Sequence, residues 1–327
     1  MFCFLSPKKQ ASTVSEQDCI SRLEVDGSAD LVPGLFAVGT IRSLGPTVSS
    51  YAYRRSDRVA VVLPKGGGNA RYVSVPTSSL IKLGDDDTHP DIVCLVGSYM
   101  TAYQCLKLAK KDGLPLTNKS ILVIGGSTPV GQAMVELARR EGAHVYTTAH
   151  RMHEEHLRRL GATWFPNKPK RWLPHLEGRM DAVIDMLCVD GYESSYRALN
   201  PDGRLICTGG PSSMLDPDST LHVGRENSMT DEVSNWWSGV KARHLWSRAV
   251  FYDVFESYEA DRKGFAHELS YLVCQLKRGE IKPKVAGRVC LNQVPKAQKL
   301  VERGLPNGEF FGVEGQGCCL FLRGVRV

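Results

Sequence analysis

The stretch from Ile121 to Arg140 constrains the fold of this chain more than any other feature. The four apolar residues of Ile121–Ile124 are typical of a strand that is buried on both faces. A turn of small residues follows, and apolar residues then recur at helical spacing until Gly142, a residue that commonly ends helices. A second strand is predicted at His144–Thr148. The stretch therefore predicts a βαβ unit with parallel strands.

The turn inside this unit resembles a known phosphate-binding pattern. In dinucleotide-binding folds, three glycines provide the tight turn, the close approach to a pyrophosphate, and the packing of helix on strand. Here these positions hold Gly126, Thr128 and Gly131. Thr128 hinders close approach but suits a helix N-cap, and Pro129 suits the first helical position. Gly126, Thr128, Val130 and Gly131 form the predicted cofactor-binding turn; the alternative is an ordinary turn in an α/β protein.

Composition and charge narrow the possible functions. The chain has 327 residues, which favours two domains, and its 42% hydrophobic and 23% charged residues are typical of a soluble globular protein. The net charge is +6, with one basic cluster at Lys168–Arg171 that we interpret as a solvated loop. Because no recognised nucleic-acid motif accompanies the charge, we expect no nucleic-acid partner.

The ten cysteines show no C-x-x-C spacing, so the sequence predicts no structural zinc site. Four of them lie in apolar runs and are expected to be small core residues in a reducing compartment: Cys94, Cys188, Cys207 and Cys274. Met1–Leu5 is too short for a signal-peptide core, and no apolar segment of the sequence approaches the length of a membrane span. We therefore expect a cytoplasmic protein without a membrane partner.

The chain divides by pattern into four parts. Residues 1–30 are polar and lack periodicity, which predicts an irregular segment. Residues 31–97 contain short β-rich runs between Gly, Pro and Ser turns, which predict a small antiparallel barrel or sandwich. Residues 98–280 alternate strands and helices, which predicts a doubly wound parallel sheet of α/β class. Residues 281–327 form the last part, and the first domain boundary is expected near Gly97.

A series of short motifs occurs in a fixed order along the chain, between Leu31 and Gly308. The series includes Pro33-Gly34, Asp57-Arg58-Val59, Thr101-Ala102-Tyr103, Leu160-Gly161-Ala162 and Gly279-Glu280-Ile281-Lys282-Pro283. In this order the motifs resemble the medium-chain dehydrogenase/reductase superfamily, specifically its zinc-free quinone oxidoreductase-like (enoyl reductase) branch. The resemblance implies a Rossmann domain, a GroES-like barrel domain to which residues 281–327 return, and a homodimer paired through the edge strand Arg248–Asp253.

The sequence departs from that superfamily in two places. Its zinc alcohol dehydrogenases have Gly-His-Glu after the position of Pro33-Gly34, whereas this chain has Leu35-Phe36, which cannot bind a metal. We therefore expect no catalytic zinc. The superfamily also places several strands before Pro33-Gly34, and residues 1–30 lack the length and pattern for them. A truncated barrel domain is the expectation.

The residues after the second strand favour NADPH over NAD. Sites for NAD usually carry an Asp or Glu at the end of this strand, about twenty residues past the glycines. Here His150 and Arg151 stand in that place, and a cationic Arg151 favours a 2′-phosphate through charge-assisted hydrogen bonds. The alternative is that Arg151 is a surface residue before a helix.

By position in the resembled fold, three further residues are expected near the cofactor. Thr101 would lie beside the nicotinamide as the candidate catalytic residue, and Gly209 and Gly210 would lie near its ribose. The alternative for Thr101 is a helix residue that bonds to its own backbone.

The function implied by the resemblance is hydride transfer from NADPH. Without zinc, the branch typically reduces alkenes or quinones that a conjugated carbonyl already activates. The sequence thus predicts a zinc-independent, NADPH-dependent oxidoreductase acting on a small molecule. A second hypothesis is a non-catalytic nucleotide-binding or interaction protein derived from the family; it rests on the short N-terminal segment and on Thr128.

Overall fold

The structure, a computed structural model, describes residues 2–19, 32–49, 51–110, 113–208, 246–302 and 309–313. Contacts divide the chain into two compact units. We call Met1–Met100 with Ser257–Val327 the mixed-sheet unit, and Thr101–Glu256 the parallel-sheet unit. The helix Arg262–Lys277, which the sequence placed before a boundary at residue 280, is grouped with the mixed-sheet unit.

The parallel-sheet unit contains a six-stranded parallel sheet, as the sequence predicts. Its strands are β6 (Ser120–Ile124), β7 (His144–Ala149), β8 (Thr163–Pro166), β9 (Met180–Asp185), β10 (Leu199–Cys207) and β11 (Ala249–Phe251). Their spatial order is β11-β10-β9-β6-β7-β8, so the order reverses between β6 and β9. In open α/β sheets, ligands bind in the crevice at the carboxyl ends of the strands beside such a reversal. β11 lies at one edge, where the sequence expects an edge strand; the homodimer stays a prediction.

The central strand β6 forms because it is buried on both sides. Ile121, Leu122 and Val123 are each 0% exposed, and Val123 pairs with Thr147 on β7 and with Ile184 on β9. The helices between these strands are α2 (Pro129–Arg140), α3 (Glu154–Arg159), α4 (Pro169–Leu176) and α5 (Glu193–Ala198) in the described part of the unit.

Helix α4 corrects one prediction from the sequence. The basic cluster Lys168–Arg171 is not a solvated loop, because Pro169 begins a helix whose N-cap position is Lys168. The apolar side of this helix, with Trp172 and Leu176, is buried against the core, and its basic residues Lys170 and Arg171 are exposed. A basic run thus conceals an amphipathic helix.

The mixed-sheet unit contains a seven-stranded sheet. Its strands are β1 (Phe2–Val14), β2 (Phe36–Leu44), β3 (Arg58–Val62), β4 (Ser74–Pro76), β5 (Leu80–Lys82), β12 (Val285–Val289) and β13 (Glu309–Val313). The order is β12-β13-β1-β2-β3-β5, with β4 also paired to β1. The helix α1 (Ile92–Ala109) begins in this unit, and α6 (Val254–Ala260), α7 (Arg262–Lys277) and α8 (Val294–Glu302) come later in the chain.

The prediction of an irregular N-terminal segment is wrong for Phe2–Val14. This strand lies between β13 and β2, so that Ser12 pairs with Gly312 on one side and with Ala37 on the other. Ser12 and Thr13 are each 1% exposed, and the Ser12 hydroxyl donates to Asn69 Oδ1 at 2.6 Å. Polar residues that suggest a loop are therefore buried by partner strands that are remote in the sequence.

Two further expectations need correction. By length and composition, helix α1 is apolar enough to cross a membrane, although the sequence was expected to contain no such segment. In the structure, 78% of this helix is buried inside the protein. It contains a π-helical segment at Leu95–Tyr99.

Among the cysteines, Cys94, Cys188 and Cys207 are buried as expected, whereas Cys274 is exposed on α7.

Candidate functional site

The tight turn after β6 depends on Gly125 rather than on Gly126. Gly125 has φ +93°, a left-handed conformation that favours glycine. The N–H groups of Gly125 and Gly126 both donate to Thr148 O, at 3.2 and 2.9 Å, which ties the turn to β7. A Cβ on Gly126 would lie 1.9 Å from Thr147 Oγ1, so this glycine is required for close packing on β7. The three-glycine pattern in the sequence predicts this role for Gly126 and not for Gly125.

Thr128 has the N-cap role that the sequence predicts. Its hydroxyl accepts a hydrogen bond from Gly131 N–H at 3.0 Å and donates to Gly125 O at 2.9 Å. Pro129 occupies the first helical position, also as predicted. A Cβ on Gly131 would lie 2.4 Å from Gly125 O, so the third glycine permits the helix to pack directly on the turn. The side chain of Thr128 thus stabilises the turn from within.

Two backbone amides at this helix terminus remain available to a ligand. Within the described ranges, no hydrogen-bond acceptor pairs with the N–H of Ser127 or of Val130. The N-terminus of a helix carries partial positive charge and orphan N–H donors, which suit a phosphate. These residues therefore fit the pyrophosphate of a dinucleotide, and they lie at the carboxyl edge of the sheet beside the reversal of strand order.

The segment after β7 carries the predicted basic residues. Residues Arg151–His153 form a single 3-10 turn, and His150 Nδ1 accepts a hydrogen bond from Met152 N–H at 3.3 Å. His153 is 8% exposed, and burial lowers its pKa, with a further lowering by nearby His150. Arg151 is exposed, and in the part of the chain that the structure describes it pairs with no carboxylate. A cation is thus presented to solvent where NAD sites carry an acid.

A second cation, missed by the sequence analysis, lies at the end of the neighbouring strand. Ala149 at the end of β7 pairs with Pro166 at the end of β8. Lys168 follows Pro166 as closely as Arg151 follows Ala149, so both side chains belong to the same edge of the sheet. The signal in the sequence is a basic residue two positions after a strand, but the sequence pattern does not predict β8.

Asp185 organises the other side of the crevice. It ends β9, is 2% exposed, and accepts hydrogen bonds from the N–H groups of Leu187 and Cys188, each at 2.9 Å, and from Ser195 Oγ at 2.6 Å. Burial raises the pKa of Asp185 despite these donors. The bonds hold the loop after β9 so that Leu187 lies against Gly125, where a Cβ would be 3.1 Å from Leu187 Cγ. The sequence analysis did not single out this residue, although an acid ending a buried strand was a visible signal.

Thr101, Gly209 and Gly210 are the remaining predicted site residues. Thr101 lies near the start of the Met100–Ala109 portion of α1, and its hydroxyl makes no hydrogen bond within the described residues, so the backbone bond proposed as its alternative role is not observed. Its catalytic role stays a prediction. Gly209 and Gly210 lie outside the described residues.

The described residues provide no fit for a metal. Leu35 and Phe36, at the position of the zinc ligands in zinc alcohol dehydrogenases, are apolar and only 7% and 9% exposed. Across the described ranges, no group of three or more His, Cys, Asp and Glu side chains could hold a metal ion. The side chains of Leu35 and Phe36 therefore offer no ligand atom for zinc.

Comparison with known proteins identifies the family. A family model described as zinc-binding dehydrogenase matches residues 129–237. A trans-enoyl reductase of Penicillium crustosum is 30% identical over 261 residues, which cover 73% of this chain and 68% of that protein. Human quinone oxidoreductase is 23% identical over 281 residues, covering 83% and 76%.

Solved structures agree with the fold. A mycobacterial protein solved with NADPH superposes with a TM-score of 0.72 at 19% identity, over 95% of this chain and 91% of that chain. At this identity the likeness shows the fold alone. The fungal relative, at 30% identity, confirms the resemblance found in the sequence. The chain belongs to the medium-chain dehydrogenase/reductase superfamily, in its quinone oxidoreductase-like branch, a family of NAD(P)H-dependent oxidoreductases.

Proposed function

We propose that this protein uses NADPH, without zinc, to reduce a small alkene or quinone that a conjugated carbonyl activates. The proposal rests on the turn Gly125–Gly131, which lies at the reversal of strand order. The N–H groups of Ser127 and Val130 in this turn have no acceptor among the described residues and lie at the N-terminus of α2. The relatives' names, quinone oxidoreductase and trans-enoyl reductase, indicate the substrate class.

The preference for NADPH rests on charge at the ends of β7 and β8. A ribose 2′-phosphate needs cationic hydrogen-bond donors, whereas a free ribose is usually held by a carboxylate. Arg151 and Lys168 follow paired strand ends, and no acid stands at the end of β7. Both cations are suited to a 2′-phosphate.

The chemistry divides between cofactor and protein. When bound, the nicotinamide supplies the hydride. The chain's own residues bind the pyrophosphate through the amides of Ser127 and Val130, and hold the 2′-phosphate through Arg151. Thr101 is the candidate donor to the substrate carbonyl oxygen, whose negative charge grows during reduction.

Substitution of Arg151 tests the cofactor assignment. Arg151→Ala should raise the dissociation constant for NADPH by about 10- to 100-fold, which corresponds to one or two charge-assisted hydrogen bonds, and should leave NADH within about twofold. Titration of coenzyme fluorescence measures both constants. Arg159→Ala is the matched control, because Arg159 is an exposed arginine of the same unit that pairs with Glu155 on α3. Equal losses for NADPH and NADH would refute a 2′-phosphate role.

A turnover assay tests the reaction. NADPH oxidation should depend on a small quinone or an α,β-unsaturated ketone and should survive treatment with a chelator. Loss of activity on chelation would contradict zinc independence. Binding without turnover of either substrate would favour the non-catalytic hypothesis, although β1 supplies an N-terminal strand and Thr128 serves as an N-cap.

A further inference from the structure

A buried glutamine holds the carbonyl of the glycine-rich turn. Gln132 lies in the first turn of α2 and is 5% exposed. Its side-chain Nε2 donates to Ser127 O at 2.7 Å. Ser127 O and Thr128 N–H belong to one peptide group, and Thr128 N–H donates to Gly125 O at 3.1 Å. This peptide is therefore fixed at both ends.

The other end of the same amide reaches α3. Gln132 Oε1 lies 2.9 Å from His156 Nε2. Because a carbonyl oxygen can only accept, the Gln132 nitrogen must face Ser127 and its oxygen must face His156. An amide oxygen also only accepts, so His156 must carry a proton on Nε2. The donor order is fixed as His156 to Gln132 to Ser127.

The two hydrogen bonds from His156 to Gln132 and from Gln132 to Ser127, which we call the relay, connect two parts of the proposed cofactor site. One end holds the peptide between the amides of Ser127 and Val130, which are proposed to bind the pyrophosphate. The other end is on the helix that directly follows Arg151, which is proposed to bind the 2′-phosphate. Only a side chain that donates at one end and accepts at the other can complete the relay.

We propose that Gln132 is a positioning residue for NADPH, which keeps the turn in the conformation that binds pyrophosphate and links it through His156 to the segment of Arg151. This inference rests on the proposed function. Gln132 itself does not contact the reacting atoms. Its role predicts an effect on both coenzymes, because NADPH and NADH share the pyrophosphate, and this separates it from the role of Arg151.

The test begins with Gln132→Met, which preserves approximate volume and removes both hydrogen bonds. We expect the dissociation constants for both NADPH and NADH to rise, roughly tenfold for the loss of two ordinary hydrogen bonds. The matched control is Gln104→Met, since Gln104 is another helical glutamine of this unit that accepts a hydrogen bond, from Tyr252 at 2.6 Å. The control should leave both constants within twofold.

Variants of His156 keep the test decisive if Gln132→Met folds poorly. His156→Gln can still donate to Gln132 and should bind NADPH within about twofold of the unchanged protein, whereas His156→Leu cannot donate and should bind several-fold more weakly. A residue with a purely structural role would lower the melting temperature in both variants without this difference in affinity.

The outcomes separate the inference from the function on which it rests. If the unchanged protein binds neither coenzyme, the proposed function fails and the inference fails with it. If the unchanged protein binds NADPH and Gln132→Met binds equally well, only the positioning role is refuted. Equal affinities of His156→Gln and His156→Leu would also refute it.

Discussion

The two units of this protein differ in how far apart in the sequence their paired strands lie. In the parallel-sheet unit, strands and helices alternate, and every strand from β6 to β11 lies within one continuous segment. In the mixed-sheet unit, β1 near the start of the chain pairs with β13 near residue 311, and β13 pairs with β12. The comparison teaches that the parallel-sheet unit can be predicted from local sequence patterns, whereas the sheet of the mixed-sheet unit depends on pairings between distant residues.

The units also differ in how they bury polar groups. The mixed-sheet unit buries Asp18, which accepts hydrogen bonds from Gly34 N–H at 2.7 Å and from Ser15 N–H at 2.8 Å and thus joins segments near the N-terminus. The parallel-sheet unit buries Asp185, which instead shapes the loop beside the proposed cofactor turn. Burial raises the pKa of both carboxyl groups. One buried acid stabilises the fold, and the other also supports the candidate site.

The largest effect should follow from breaking the long-range strand. Ser12→Pro removes an N–H from β1, which is paired on both sides, and should lower the free energy of unfolding by about 3 kcal/mol or more. Urea denaturation measures this loss. Ser12→Ala, which removes only the hydrogen bond to Asn69, should cost about 1 kcal/mol. A proline variant no less stable than the alanine variant would contradict the central position of β1.

An intermediate effect should follow from crowding the turn of the parallel-sheet unit. Gly131→Ala places a methyl group 2.4 Å from Gly125 O and should cost about 1–3 kcal/mol of stability and weaken NADPH binding at least tenfold. Urea denaturation and coenzyme fluorescence provide the two readouts. Gly178→Ala, at φ +70° with no atom within 4 Å, should cost stability through strain alone and leave binding unchanged. Equal binding by the two variants would show that the turn does not form the cofactor site.

The smallest effect should appear in the pH dependence of stability. Because burial raises the pKa of Asp185 in the folded state, the folded protein binds more protons than the unfolded protein above about pH 4, the ordinary carboxyl value. The contribution of this group is complete below that pH and is lost as pH rises through the folded-state pKa.

Asp185→Asn removes this titration and still presents an oxygen to Leu187 and Cys188. In the Asp185→Asn variant, the free energy of unfolding should decrease less steeply as the pH rises. Urea denaturation between pH 4 and pH 8 measures this dependence. Asp181→Asn is the control, because Asp181 is an Asp on the same strand that is only partly buried. A parallel pH profile for Asp185→Asn and the unchanged protein would contradict the assignment.

The sequence was sufficient where the signal was local. The apolar run Ile121–Ile124 predicts β6, and apolar residues at helical spacing predict α2. The residue types predict the N-cap Thr128 and the first-turn Pro129. The ordered motifs led to the correct family. The sequence was insufficient where a residue's role depends on a distant partner, as for β1, whose buried Ser12 and Thr13 suggest a loop when their partner strands are unknown.

The amino-acid sequence by itself determined the alternation of strands and helices, the glycine-rich turn and the basic residue Arg151 after β7, because each arises from neighbours within a few residues. Only the tertiary structure decided that Gly125 adopts the left-handed turn, that Lys168 lies at the same sheet edge as Arg151, and that Gln132 joins Ser127 to His156. These relations are set by the packing of separate strands and helices against one another. No local periodicity encodes which polar groups that packing brings within hydrogen-bonding distance.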